Sequence, residues 1–275
     1  MTSLRTEDWI PFLHRLAFAA DAVAMRYFRS SGLAVIKKAD GSPVTYADME
    51  IEREVVALAK MLVPGIGILG EEYGTEPATG NTRLIVDPVD ATSNFIRGNP
   101  VFATLLAVEV SDAVVAGMAS APALGQRWWA SRGNGAYRDG QPIRVSSRSR
   151  LDTSRLYHGT PMGTAAVARY PGLSSLLQTT RSDIAVGDFL QHLRVAEGAG
   201  EAAIDLEVEP WDVAALKIIV EEAGGKATAA DGSNTIDAGT LVSTNGLLHR
   251  EILSYFEPGA TIAATPTCPG VSVSA

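Results

Sequence analysis

The chain has 275 residues, of which 46% are apolar and 20% charged, with a formal net charge of −8. That length is enough for one large or two medium domains with a substantial core. No apolar stretch of about 18 residues is present to cross a membrane, and no dense Lys/Arg block points to nucleic-acid binding. A single cysteine, Cys268, excludes an internal disulfide. The first residues lack the continuous apolar segment of a secretory signal, so a cytoplasmic setting is expected.

Residues 7–28 carry Trp9, Phe12, Leu13, Leu16 and Ala20 near helical spacing and predict an amphipathic helix. A second helix is predicted over 46–62, with Asp48 at its beginning, where a carboxylate suits the helix dipole. Short apolar runs predict strands at 67–69, 82–86, 103–110, 113–121, 127–131 and 136–138, with Gly133 and Gly135 marking turns. After about residue 150 strands and helices alternate. Strands are expected at 155–159, 182–186 and 202–206, and helices at 165–177 and 189–196. A last helix begins at Trp211-Asp212 and stops at Gly224-Gly225. The pattern is α+β in the first half and α/β in the second. It predicts an N-terminal domain over 1–145, a C-terminal domain over 146–257, and a flexible tail over 258–275 rich in Pro, Thr, Ala, Gly and Ser.

The most informative stretch is Leu84-Ile85-Val86-Asp87-Pro88-Val89-Asp90-Ala91-Thr92. Val and Ile suit a buried strand, and Pro88, which lacks an N–H, is expected to end its regular pairing. Asp87 and Asp90 then leave the strand end together, with Thr92 beside them. Converging carboxylates repel unless a cation or a proton sits between them, and oxygen-only ligands favour a hard divalent ion such as Mg²⁺. An Asp-Pro turn would leave the same local pattern. Two further segments carry acids at matching places. Gly70-Glu71-Glu72 follows a short apolar strand, and Glu209-Pro210-Trp211-Asp212 heads a helix, where Asp212 could equally be an ordinary N-cap.

Together these segments resemble the signature motifs of the inositol monophosphatase family of Mg²⁺-dependent phosphatases: Gly-Glu-Glu, Asp-Pro-Ile-Asp-Gly-Thr, and Trp-Asp before an Ala-rich helix. Lys38 and Val44-Thr45-Tyr46-Ala47-Asp48 are similar to the family's early lysine and Val-Thr-x-x-Asp segment. Order and spacing agree over roughly residues 10–256. The resemblance implies a layered αβαβα sandwich, a homodimer and two or three Mg²⁺ ions. It assigns Glu71, Asp87, the carbonyl of Val89, Asp90 and Asp212 to the metals, and Asp48 and Thr92 to orienting and activating water. Glu72 stands beside them in the catalytic set, and backbone N–H groups around Ala91 and Thr92 would cradle phosphate. The chain departs from the pattern at Ala91, where glycine is common, and at Ser93. If position 91 needs φ > 0, the alanine strains the cradle.

Two segments bear on the substrate, a small-molecule phosphate monoester. One contains the paired Trp128-Trp129; the other runs through Gly187-Asp188-Phe189-Leu190 to Val195-Ala196-Glu197-Gly198. Both look like the actinobacterial histidinol-phosphate phosphatase branch of the family. That ester carries an amine and an imidazole, so Asp188, Glu197 and Glu209 are candidate partners for its cations. The tryptophans read as packing residues rather than a substrate platform. His14, His158, His192 and His249 show no metal-ligand spacing and read as ordinary polar residues. Alternatives are a phosphatase of inositol 1-phosphate, a nucleotide or a sugar or cyclitol phosphate, and a catalytically weakened binding protein.

Overall fold

Alternation along the central strands decides the layering. In the computed structural model, which describes residues 8–30, 35–37, 43–159 and 165–257, Leu84 and Val86 enter one apolar core and Ile85 enters another. Successive side chains of a strand point to opposite faces, so a run buried at every position demands cover on both sides.

Helix α1 (Trp9–Tyr27) buries Trp9, Phe12, Leu13, Leu16 and Ala20, the residues at helical spacing. Strands β1 (Val35–Lys37) and β2 (Pro43–Thr45) form a small ribbon before α2 (Tyr46–Leu62). The large sheet is built from β3 (Gly67–Gly70), β4 (Gly74–Glu76) and β5 (Thr82–Asp90). After α3 (Thr92–Ile96) it continues with β6 (Ala103–Val110), β7 (Ala113–Ala121), β8 (Gln126–Ser131), β9 (Ala136–Arg138) and β10 (Gln141–Ile143). Its order is β10-β9-β8-β7-β6-β5-β3-β4, antiparallel except where β3 runs parallel to β5.

The second sheet uses β11 (Arg155–His158), β12 (Ser182–Ala185), β13 (Ala202–Asp205), β14 (Lys226–Thr228) and β15 (Leu241–Thr244), in the order β12-β11-β13-β15-β14. Between and around these strands lie α4 (Ala165–Arg169), α5 (Gly172–Thr179), α6 (Asp188–Ala196), α7 (Pro210–Glu222) and α8 (His249–Leu253). Strands β11, β12 and β13 are mutually parallel, so residues 159, 186–188 and 205 emerge at one end of the sheet.

The cores define five layers. Helices α1 and α2 cover one face of the large sheet through Leu84, Val86, Leu106 and Val108. Helices α6 and α7 cover its other face through Ile85, Leu105, Ala107 and Trp128. The second sheet packs on α6 through Tyr157 and Ala203, and its far face buries Leu156, Ile204 and Val242 against Leu173, Leu176 and Ile252 of α5 and α8. This is the αβαβα sandwich. Helix α7 comes from the second half of the chain yet packs on the sheet of the first, so the halves share a core. Trp128 is fully buried edge-on to Phe189, and Trp129 contacts His14 and Tyr137; both are packing residues.

Two expectations are corrected. The helix foreseen over 165–177 is two helices, because Pro171 lacks the N–H that an unbroken helix would use and disfavours the helical conformation at Tyr170. Pro88 does not end its strand: β5 runs on to Asp90. Asp87 pairs with Leu105 and Asp90 with Ala103, so one extra residue bulges out of the ladder where the proline has no donor to give. Lys38 and the tail from 258 onward lie outside the described residues.

Candidate active site

The bulge aims the site. Past Val86, strand β5 has lost its β3 partner, and Asp87 folds back so that its Oδ1 accepts from the N–H of Val89 at 2.9 Å. Thr104 Oγ1 secures the Pro88 carbonyl at 2.8 Å. The chain then turns through Ala91 in the left-handed region, φ 67°, and enters α3 at Thr92. Thr92 Oγ1 lies 2.9 Å from the carbonyl of Val89 and 3.3 Å from Asp48 Oδ1.

Asp48 is held from its own helix. It is the third residue of α2, and its Oδ2 accepts from the Thr45 backbone N–H at 2.9 Å and from Thr45 Oγ1 at 2.5 Å. The cap satisfies helix-end groups and fixes the carboxylate facing Thr92. Asp212 is placed the same way. Pro210 opens α7, and Asp212 in its first turn accepts the Glu209 N–H at 2.8 Å. The third acid, Asp90, accepts the Phe189 N–H at 2.8 Å from the first turn of α6.

Asp87, Asp90 and Asp212 thus converge, each with a carboxylate oxygen within 4.8 Å of the others. Glu71 joins them: its N–H continues the β3–β5 pairing to the Val86 carbonyl at 3.2 Å, and its carboxylate repels that of Asp87. The turn bearing Glu71 is clamped by Glu52, a fully buried carboxylate one helical turn after Asp48. Its two oxygens accept the N–H groups of Glu72 at 2.8 Å and Tyr73 at 3.0 Å. Gly70 leaves room for this carboxylate, since a Cβ there would lie 2.0 Å from Glu52 Oε1.

The electrostatics are those of an anion cluster. Burial, followed by repulsion from Glu71, Asp90 and Asp212, raises the Asp87 carboxyl well above the usual range. Burial and repulsion from Asp188 and Asp212 do the same to Asp90. Burial pushes Asp212 up to about 7, and burial with Asp205 pushes Asp188 up to about 6. Asp48 is also raised, mainly by burial. Crowded, buried carboxylates with only hard oxygen donors fit a divalent cation such as Mg²⁺, which would relieve the repulsion.

Beside the acids opens a cavity of about 300 Å³ lined by Asp90, Asp188, His192, Asp205, Glu207 and Asp212, with Phe189 and Leu216 as apolar wall. The residues expected at the metals and at the water therefore come together, and Asp188 reaches the cavity. Glu72 sits in the clamped turn, outside the three converging acids.

Glu197 and Glu209 do not line this cavity. Glu197 is committed to Arg138, Arg194 and the Trp128 indole N–H, at 3.1, 2.7 and 2.7 Å. Glu209 is the N-cap of α7. Sequence reasoning missed Asp205, Glu207 and Glu52, and treated His192 as an ordinary polar residue although it lines the cavity. Asp205 did carry a usable signal: it ends the apolar strand Ala202–Asp205 as Asp87 follows Leu84-Ile85-Val86.

A model of the inositol monophosphatase family matches residues 5–259. A histidinol-phosphatase of Mycobacterium tuberculosis is 41% identical over 252 residues, covering 89% of this chain and 96% of that protein. A histidinol-phosphatase of Streptomyces coelicolor is 37% identical over 257 residues, covering 90% and 96%. Among solved structures, the extragenic suppressor protein suhB of Bartonella henselae superimposes with a TM-score of 0.84 at 27% identity, covering 91% of this chain and 98% of that one.

Proposed function

The chain belongs to the inositol monophosphatase family, and on that premise we propose that it is a phosphate monoester hydrolase whose substrate is histidinol phosphate. Glu71, Asp87, the Val89 carbonyl, Asp90 and Asp212 would hold two or three Mg²⁺ ions. Bound there, the metal supplies charge neutralisation at the phosphate and acidifies the attacking water.

The protein's own groups do the rest. The hydrogen-bonded pair Thr92–Asp48 orients the water. Asp48, raised above the usual carboxylate range by burial, is the base that receives its proton. N–H groups at Ala91 and Thr92 cradle the phosphate oxygens. Asp87 and Asp48 are buried, so oriented dipoles beside them act at a lower dielectric than in water. The same reading carries a homodimer and a cytoplasmic setting.

The observation that carries the substrate is the wall of the cavity. Asp188, Asp205 and Glu207 line it together with Asp90 and Asp212, with Phe189 among them. A neutral cyclitol offers these carboxylates only hydroxyls, whereas the amine and imidazole of histidinol phosphate offer charge. The relatives named histidinol-phosphatase support the same choice. The test compares kcat/KM for histidinol phosphate and inositol 1-phosphate. We expect a preference for the former of about a hundredfold that Asp188→Asn reduces at least about tenfold. Equal kcat/KM for the two esters, in the native protein, would overturn the substrate assignment.

A further inference from the structure

We propose that His192, together with Ser243 and Gln191, is a positioning relay that sets Asp205 for recognition of the substrate's ammonium group; this rests on the substrate reading above. The relay follows from the second sheet. Ala203 of β13 pairs with Ser243 of β15, and Asp205 lies two residues further along β13, so Ser243 and Asp205 share one face of the sheet. Helix α6 packs on that face through Val195 and Ala203, and lays His192 across the gap.

The contacts form an unbroken chain. His192 Nδ1 is 2.8 Å from Ser243 Oγ, and His192 Nε2 is 3.0 Å from Asp205 Oδ2. Gln191 Nε2 donates to the same Oδ2. His192, Gln191 and Ser243 are all fully buried. An ionised Asp205 only accepts, which places the imidazole proton on Nε2 and leaves Nδ1 to accept from the Ser243 hydroxyl. Both protein donors therefore act on Oδ2, and Oδ1 accepts from no donor among the described residues. Oδ1 lies against the backbone of Gly159, where a Cβ would come within 2.4 Å of it. Asp205 and Gly159 both line the cavity. A carboxylate held by one oxygen and open at the other is arranged to bind a cation in a fixed direction.

The test uses the Mg²⁺-loaded full-length enzyme with histidinol phosphate and with its N-acetyl derivative, which keeps the imidazole and phosphate but lacks the charged amine. In the native protein we expect KM to be lower for the free amine. His192→Asn, which removes the Nε2 donor, should raise KM for histidinol phosphate about tenfold with kcat within about twofold, and move KM for the N-acetyl ester by less than about twofold. His192→Gln, which can return an N–H near Nε2, should recover part of the loss. Because His192 is buried, Ser243→Ala provides a second arm that deletes a single oxygen, with an expected selective rise of about threefold. Variants that keep the native preference for the free amine would overturn the relay. A native enzyme that does not distinguish the two esters would overturn the ammonium contact, and the relay with it, whereas a native enzyme that hydrolyses neither would overturn the substrate reading.

Discussion

Position 91 shows how one residue couples backbone strain to the site. Ala91 adopts φ 67° at the head of α3, a region that costs an L-residue energy and glycine none. Ala91→Gly should therefore stabilise the fold by roughly 0.5–1 kcal/mol, a rise of about 2 °C in Tm by calorimetry, with activity kept or raised. A fall in both would mean that the alanine methyl makes contacts worth more than the strain. Asp90 offers the complementary case. Asp90→Asn removes one charge from a repelling cluster, so turnover should fall on the order of a thousandfold while Tm in chelator holds or rises. Unchanged turnover would discard the metal assignment. At this scale the sequence was most legible where residue type alone dictates chemistry. Asp87, Asp90, Asp212, Asp48 and Thr92 announced themselves as carboxylates and a hydroxyl at element ends. The partners of Glu197 were not legible, because an acid in a suggestive motif says nothing of the two arginines and the indole that bind it.

Helix α2 does two tasks with one face. Asp48 reaches Thr92, and Glu52, four residues on, clamps the Glu71 turn through two backbone N–H groups. Glu52→Gln replaces one accepting oxygen by an amide that faces a donor, which loosens the turn. Mg²⁺ affinity measured by calorimetric titration should fall about tenfold, the scale seen when groups supporting a metal ligand are altered. An unchanged affinity would reduce Glu52 to a packing residue. Glu52 was invisible in the sequence because a carboxylate on an amphipathic helix ordinarily faces water, and only the approach of Gly70 reveals why this one does not. Long elements with clear period were read correctly, α1, α2 and α7 among them. Elements of three to five residues, such as α3 and β14, are too short to show a period. Strand β15 is buried at all four positions, so it never alternates. The Pro88 bulge was missed for a related reason: a proline reports its absent donor, not whether the neighbouring strand needs one.

Across the whole molecule, the five layers bring acids from both halves of the chain to one point, Asp87 and Asp90 from the large sheet and Asp212 from α7. The shared core is what makes that meeting reproducible, since α7 packs on the sheet whose end carries the other two. The layering was legible from the family motifs; the sharing of α7 was not, because contact across halves leaves no local pattern. The cluster also ties stability to pH. Asp212 at about 7 and Asp188 at about 6 lie above their unfolded values, so the metal-free fold binds protons more tightly than the unfolded chain. Its stability is greatest below about pH 4 for these groups and is lost as pH rises through about 6 and 7. The increment in Tm on adding Mg²⁺ should therefore grow between pH 5 and pH 8; an increment independent of pH would show that the cation binds elsewhere. Hydrolysis of a phosphate monoester carrying a cation is tested by phosphate release from a panel, with Mg²⁺ and with chelator. Histidinol phosphate, inositol 1-phosphate, nucleoside monophosphates and sugar phosphates would make up that panel. Mg²⁺-dependent release, fastest for histidinol phosphate and abolished by chelator, is expected. Release that survives chelation, or no release from any member, would contradict it.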